Sequence, residues 1–182
     1  MTRALLIIDI QNDYFPGGKM ELEGSEAASL RAGELLAAFR DKRLPVVHLQ
    51  HISVRPGASF FLPDTDGVRI HTNVSPAPGE TVLQKNFPNG FRETALLETL
   101  REAGIEDLVI AGMMTSMCID ATTRAAVDLG FRCAVAHDAC ATRALSFGDT
   151  KVPAAHVHSA FLSALNVTYA QVRSATDLAD SL

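Results

Sequence analysis

The sequence predicts an open, doubly wound α/β fold: a parallel β-sheet of five or six strands sandwiched between helices. Three observations lead there. Short apolar runs alternate with stretches of helical periodicity along most of the 182 residues. The first run is continuously apolar, as a strand covered on both faces is. Strands that alternate with helices pair in parallel, and right-handed crossovers then place helices on both sides of the sheet.

The first strand is read at residues 4–10 (ALLIIDI). A helix over 25–43 follows, with Leu30, Leu35, Leu36 and Phe39 at helical spacing, Ser25 and Glu26 as start signals and Pro45 beyond its end. The second strand is 45–52 (PVVHLQHI) and the third 81–85. A helix at 94–103 is closed by Gly104. The strand at 107–113 (DLVIAGM) leads into a helix at 116–129, ended by Gly130. A fifth strand spans 132–137, a last full helix 153–165, and an edge strand is expected within 167–173. The stretch 53–79 stands apart, with four prolines, three glycines and an exposed-looking pair, Phe60 and Phe61. A connection of that length is expected to be a lid or an interface arm.

Composition narrows the function classes. The length fits one domain, 1–182. With 47% apolar and 20% charged residues the chain can bury a core and does not read as disordered. A net charge of −5 and the absence of a Lys/Arg run disfavour a nucleic-acid partner. The apolar run 4–8 is too short for a signal sequence or a membrane span, which predicts a cytoplasmic protein with no membrane partner. The three cysteines, Cys118, Cys133 and Cys140, form no CxxC pair and make no even disulfide set. Cys133 reads as core, and Cys140 falls in the loop after the fifth strand, a candidate redox-sensitive surface thiol.

Ligands of open parallel sheets bind outside the carboxyl ends of the strands. That edge collects Asp9 from strand one, Lys85 from strand three and Cys118 just after strand four, with His137 and Asp138 nearby. Cys118 falls in the first turn of a helix, where positive potential is expected to lower a thiol's pKa. A buried structural cysteine is the alternative. Asp9 interrupts an apolar strand, so it needs a partner or a task; the plain alternative is an acid at a solvated strand end. Lys85 beside it would keep it charged.

The segments ALLIIDIQNDYF, VLQKNFPNGF and VIAGMMTSMCIDATTRAAVDLGF resemble the isochorismatase-like cysteine hydrolases, a Rossmann-like superfamily that includes the nicotinamidases. The resemblance runs from Ala4 to at least Cys140. It implies Asp9 as general acid/base, Lys85 as its charged partner and Cys118 as nucleophile. It also implies a cis peptide between Met113 and Met114 that aims the N–H groups of Met114 and Cys118 as an oxyanion hole. The implied activity is hydrolysis of an amide, imide or lactam-type C–N bond through a thioester, with no cofactor, on a small-molecule substrate, in a dimer or tetramer. Isochorismatases proper lack this cysteine, so ether cleavage is the lesser alternative. A catalytically silent binding protein of the same fold is another. A dinucleotide-binding oxidoreductase fits poorly, because QNDYFPGGKM after strand one lacks G-x-G-x-x-G.

Nicotinamidases in this superfamily hold a metal through an Asp-x-His motif after strand two. Here His51 and Ser53 stand at those positions, so the motif is broken. His48, His51 and His71 remain candidate ligands, but His48 and His51 lie three apart on a strand and face opposite ways. His156 and His158 do not share a helix face. No metal site is expected. Gln11, Phe15, Phe60 and Phe91 are the candidate substrate-binding residues, the aromatic rings as walls for a planar acyl group.

Overall fold

The computed structural model describes residues 2–182. Its main sheet has six strands, β1 (Thr2–Ile8), β2 (Val46–His51), β3 (Thr81–Lys85), β4 (Ile105–Met113), β5 (Arg132–Ala141) and β8 (Ala170–Arg173). They lie in the order β3-β2-β1-β4-β5-β8, every neighbouring pair parallel. The chain builds outward from β1 to β3, then returns to place β4 on the other side of β1. The crevice between β1 and β4 is therefore the topological switch point, where such sheets bind ligands.

The helices α1 (Ser25–Asp41), α2 (Leu96–Glu102), α3 (Asp120–Asp128), α4 (Ala154–Thr168) and α5 (Ala175–Asp180) complete the fold, together with a small hairpin, β6 (Leu145–Phe147) and β7 (Thr150–Val152). Successive residues of β1 feed opposite faces of the sheet, as the two-residue period of a strand requires. Leu5 and Ile7 pack with Leu35, Phe39 and Leu178 beneath α1 and α5. Leu6 and Ile8 pack with Leu100, Ala126, Leu162 and Leu165 beneath α2, α3 and α4. Gly112 closes β4 onto β1. At φ 137° a Cβ there would collide with the Ile8 carbonyl, so only glycine permits the approach.

Several boundaries differ from the sequence reading. The first strand stops at Ile8, because Asp9 turns left-handed at φ 52°. Arg43, also left-handed at φ 55°, keeps α1 from reaching residue 43. The helix expected over 116–129 opens with a π-helical turn, Thr115–Ile119, in which the Ile119 N–H reaches the Met114 carbonyl. The fifth strand continues to Ala141 through the polar pair His137–Asp138. A register shift between Ile110 and Gly112 absorbs the pair, and Asp138 accepts from the Ala175 N–H at 2.7 Å. Cys140 is consequently a buried β5 residue opposite Gly112, not a surface thiol in a loop. The hairpin and α5 escaped the sequence reading.

The stretch 53–79 is not a free arm. Phe61, Val68 and Val74 are buried in the core, and Phe61, expected outside, is 1% exposed. Asp13 pins the loop by accepting from the Phe61 N–H at 2.6 Å, and a bridge joins Gln11 to Ile70. Among the described residues no helix is long and apolar enough to cross a membrane.

Candidate active site

Three strand ends deliver the central groups. Asp9 follows β1 directly, its N–H bonded to the Leu49 carbonyl and its side chain fully buried. A left-handed aspartate costs some backbone strain, held here by strands on either side. Lys85 ends β3, and Cys118 lies in the π-helical turn after β4. Thr115 and Ser116 fix that turn by hydrogen bonds to His158 Nδ1 and Thr142 Oγ1, both at 2.9 Å. The peptide between Met113 and Met114 is cis.

The Lys85 ammonium is the hub. Its Nζ lies 2.6 Å from Asp9 Oδ2, 3.3 Å from Cys118 Sγ, 3.0 Å from His51 Nδ1 and 3.1 Å from the Phe87 carbonyl. Burial opposes its charge, but Asp9 and Cys118 outweigh burial and the Lys85 pKa is raised. Lys85 is thus a fixed cation. Asp9 Oδ1 is sealed from solvent and has no hydrogen-bond partner among the described residues, which leaves the carboxylate an open acceptor beside the thiol.

The thiol departs from the sequence expectation. Burial, and then the charge of Asp9, raise the Cys118 pKa far above that of an ordinary thiol, although Lys85 pulls the other way. At neutral pH Cys118 is a thiol in the resting site. Desolvation is the largest of the effects that act on it. Cys133 and Cys140 are pushed up to about 12 by burial and lie in the apolar layers of the sheet.

Above Cys118 opens a cavity of about 440 Å³, walled by Tyr14, Phe60, Phe87, Met114 and Met117, with His51, Ser53, Arg55 and Asn86 as polar lining. Of the four candidate substrate-binding residues, the structure brings only Phe60 to this cavity. Gln11 is fully buried and spends its amide elsewhere: Nε2 donates to the carbonyls of His51 and Val68, and Oε1 accepts from the His51 N–H at 2.7 Å. Phe15 stacks on His71 at 3.6 Å beside a separate hollow of about 640 Å³. Phe91 stacks on Phe131 against the core. Tyr14, Phe87 and Met117 were missed. Tyr14 and Phe87 lie inside the very segments that place Asp9 and Lys85, but only the folded loops turn them to the cavity.

A metal does not fit these residues well. Single ligand atoms of Asp9, His51 and Cys118 do lie within 4.8 Å of one another. Lys85 Nζ, however, already stands within 3.3 Å of all three groups, where an added cation would meet a fixed positive charge. The other histidines diverge. His48 is buried on the far side of β2 against Glu80 Oε2 at 2.9 Å, and His71 belongs to the hollow beside Phe15.

Comparison with known proteins identifies the family. The Isochorismatase domain family matches residues 3–176. The isochorismatase family protein YddQ of Bacillus subtilis is 53% identical over 174 residues, covering 96% of this chain and 97% of its own length. A streptothricin hydrolase of Streptomyces noursei is 38% identical over 78% of this chain, which spans half of that enzyme's length. The crystal structure described as an isochorismatase hydrolase from Oleispira antarctica superposes with a TM-score of 0.95 at 54% identity, covering 98% and 96% of the two chains. The chain belongs to the isochorismatase-like hydrolase superfamily.

Proposed function

We propose that the protein hydrolyses a carbon–nitrogen bond of a small amide, imide or lactam, with Cys118 as nucleophile. One observation carries the reading. A protonated thiol, a carboxylate with an open acceptor and a fixed ammonium meet at the floor of a mostly apolar cavity. That set suits nucleophilic attack with proton shuttling, and a silent binding site has no physical need of a buried ion pair.

The raised thiol pKa gives Asp9 its task. As Sγ bonds to the substrate carbonyl carbon, Asp9 takes the thiol proton. The carbonyl electron pair moves to oxygen, where the N–H groups of Met114 and Cys118 receive the charge. The pair then re-forms the carbonyl, the C–N bond breaks and Asp9 returns its proton to the leaving nitrogen, leaving a thioester. Water loses a proton to Asp9 as it attacks that thioester, and the carboxylic acid departs with the thiol restored. Lys85 keeps Asp9 ionised between steps and stays protonated throughout. The walls Tyr14, Phe60 and Phe87 favour a flat acyl part. A relative that is a streptothricin hydrolase supports the C–N reading.

Mass spectrometry of the protein quenched during turnover of a panel of primary amides, imides and lactams tests this. The expected result is a substrate-sized acyl adduct on Cys118 that disappears with Cys118→Ala. An adduct on Cys133 or Cys140, or unchanged turnover by Cys118→Ala, contradicts it.

A further inference from the structure

The His51 ring is held in one protonation state by its neighbours. Lys85 Nζ has only protons to offer, so at 3.0 Å His51 Nδ1 is the acceptor. Burial, then Lys85, lower the His51 pKa to about 4, which keeps the ring neutral. A neutral ring with Nδ1 unprotonated carries its proton on Nε2. Nε2 has no partner among the described residues and is not sealed from solvent, while the ring lines the cavity over Cys118. Gln11 anchors the His51 backbone by binding both its N–H and its carbonyl, and Lys85 holds the ring through Nδ1. A donor is thus built into the cavity wall from behind.

Arg55 lines the same cavity, close enough to His51 to contribute to its lowered pKa. Its guanidinium has no ion pair or side-chain hydrogen bond among the described residues. No carboxylate side chain lines the cavity, since Asp9 lies beneath it and is closed to solvent. The polar lining of the cavity therefore presents a fixed N–H donor and a free cation beside Ser53 and Asn86, and aromatic and aliphatic side chains make up most of the remainder.

We propose that this polar lining is a subsite for a carboxylate on the acyl part of the substrate, received by His51 Nε2–H and Arg55. The proposal rests on the amide hydrolase reading and narrows it to amides that carry a second, anionic group on a flat acyl skeleton. A carboxylate accepts both bonds, and charge-assisted bonds to it are the strong kind.

The test uses probes with no C–N bond to an acyl carbon: benzoate, and nitrobenzene as its neutral shape match. Each is titrated into the whole protein by NMR in wild type, Arg55→Ala and His51→Asn. Asparagine keeps an acceptor near the Nδ1 position for Lys85 but does not reach the position of Nε2. Benzoate is expected to bind wild type at least about tenfold more tightly than nitrobenzene, a ratio of the size one good charge-assisted bond supplies. The ratio should fall towards one in each variant, and His51→Gln, whose amide N–H2 reaches further, should restore part of it. A ratio near one in wild type, its survival in either variant, or no saturable binding of either probe overturns the proposal. Because the readout is binding, it fails independently of the Cys118 adduct experiment.

Discussion

Lys85 Nζ lies 2.6 Å from Asp9 Oδ2, and both side chains are closed to solvent. A pair of this kind is costly to desolvate and more costly to break, because removal of one partner strands a buried charge. Lys85→Met should therefore destabilise the protein by about 3–5 kcal/mol at neutral pH, less whatever Asp9 recovers by taking a proton. Asp9→Asn, Lys85→Met and the double variant should each lose activity by about 10²-fold or more, the double little worse than either single. Urea unfolding and kcat/KM check the two halves; multiplicative losses would mean independent roles.

The thiol and the carboxylate make a sign-opposed prediction. Asp9 raises the Cys118 pKa and Lys85 lowers it. Asp9→Asn should thus speed the alkylation of Cys118 by iodoacetamide at pH 8 while slowing turnover, and Lys85→Met should slow both. Peptide mass spectrometry against time measures the alkylation. An alkylation rate that falls with Asp9→Asn would show that the carboxylate does not hold the thiol protonated.

The neutral His51 predicts acid sensitivity. Its folded pKa of about 4 lies below the ordinary 6.5, so in that window the unfolded chain binds the extra proton. Its contribution is present above pH 6.5 and is lost as pH falls from 6.5 towards 4, up to about 3 kcal/mol. His48, His71 and His158 are lowered too, which makes the useful quantity a difference from wild type. His51→Gln should lose less stability over this window than wild type, as read from urea midpoints at pH 7 and pH 4.5. Parallel pH profiles would contradict the assignment.

Phe60 and Phe61 are adjacent but should part company on substitution. Phe61 is 1% exposed and packs on Tyr14 at 4.6 Å, whereas Phe60 walls the cavity. Phe61→Ser should cost about 3–5 kcal/mol of stability, the range for emptying a buried aromatic site. Phe60→Ser should cost less and appear mainly in KM. Thermal melts and steady-state kinetics of the two variants separate the effects, and equal losses of Tm would place both rings in the core.

How much of this was legible beforehand follows from which interactions are local. The apolar run of β1, the alternation of strands with helices and the punctuation by Gly104 and Gly130 predict a doubly wound parallel sheet, because period and turn chemistry are written residue by residue. The strand-end rule brought Asp9, Lys85 and Cys118 to one edge, and the structure places their reactive atoms in contact. The broken Asp-x-His motif and the opposed faces of His48 and His51 were also visible in the chain.

Only the tertiary structure decided what each of these groups is chemically. The start of a helix suggested an acidic thiol, but the Cys118 pKa is raised by burial and by a carboxylate 109 positions earlier. Gln11 and Phe15 were candidate substrate contacts, yet their directions depend on where the 53–79 stretch folds back. Cys140 and Phe61 seemed exposed because a register shift and a loop anchored by Asp13 leave no periodic trace. Tyr14, His51 and Arg55 became cavity residues for the same reason. Sequence fixes backbone period and chemical type; direction, burial and neighbours come from contacts between segments far apart in the chain, and those contacts set the charge state of the site.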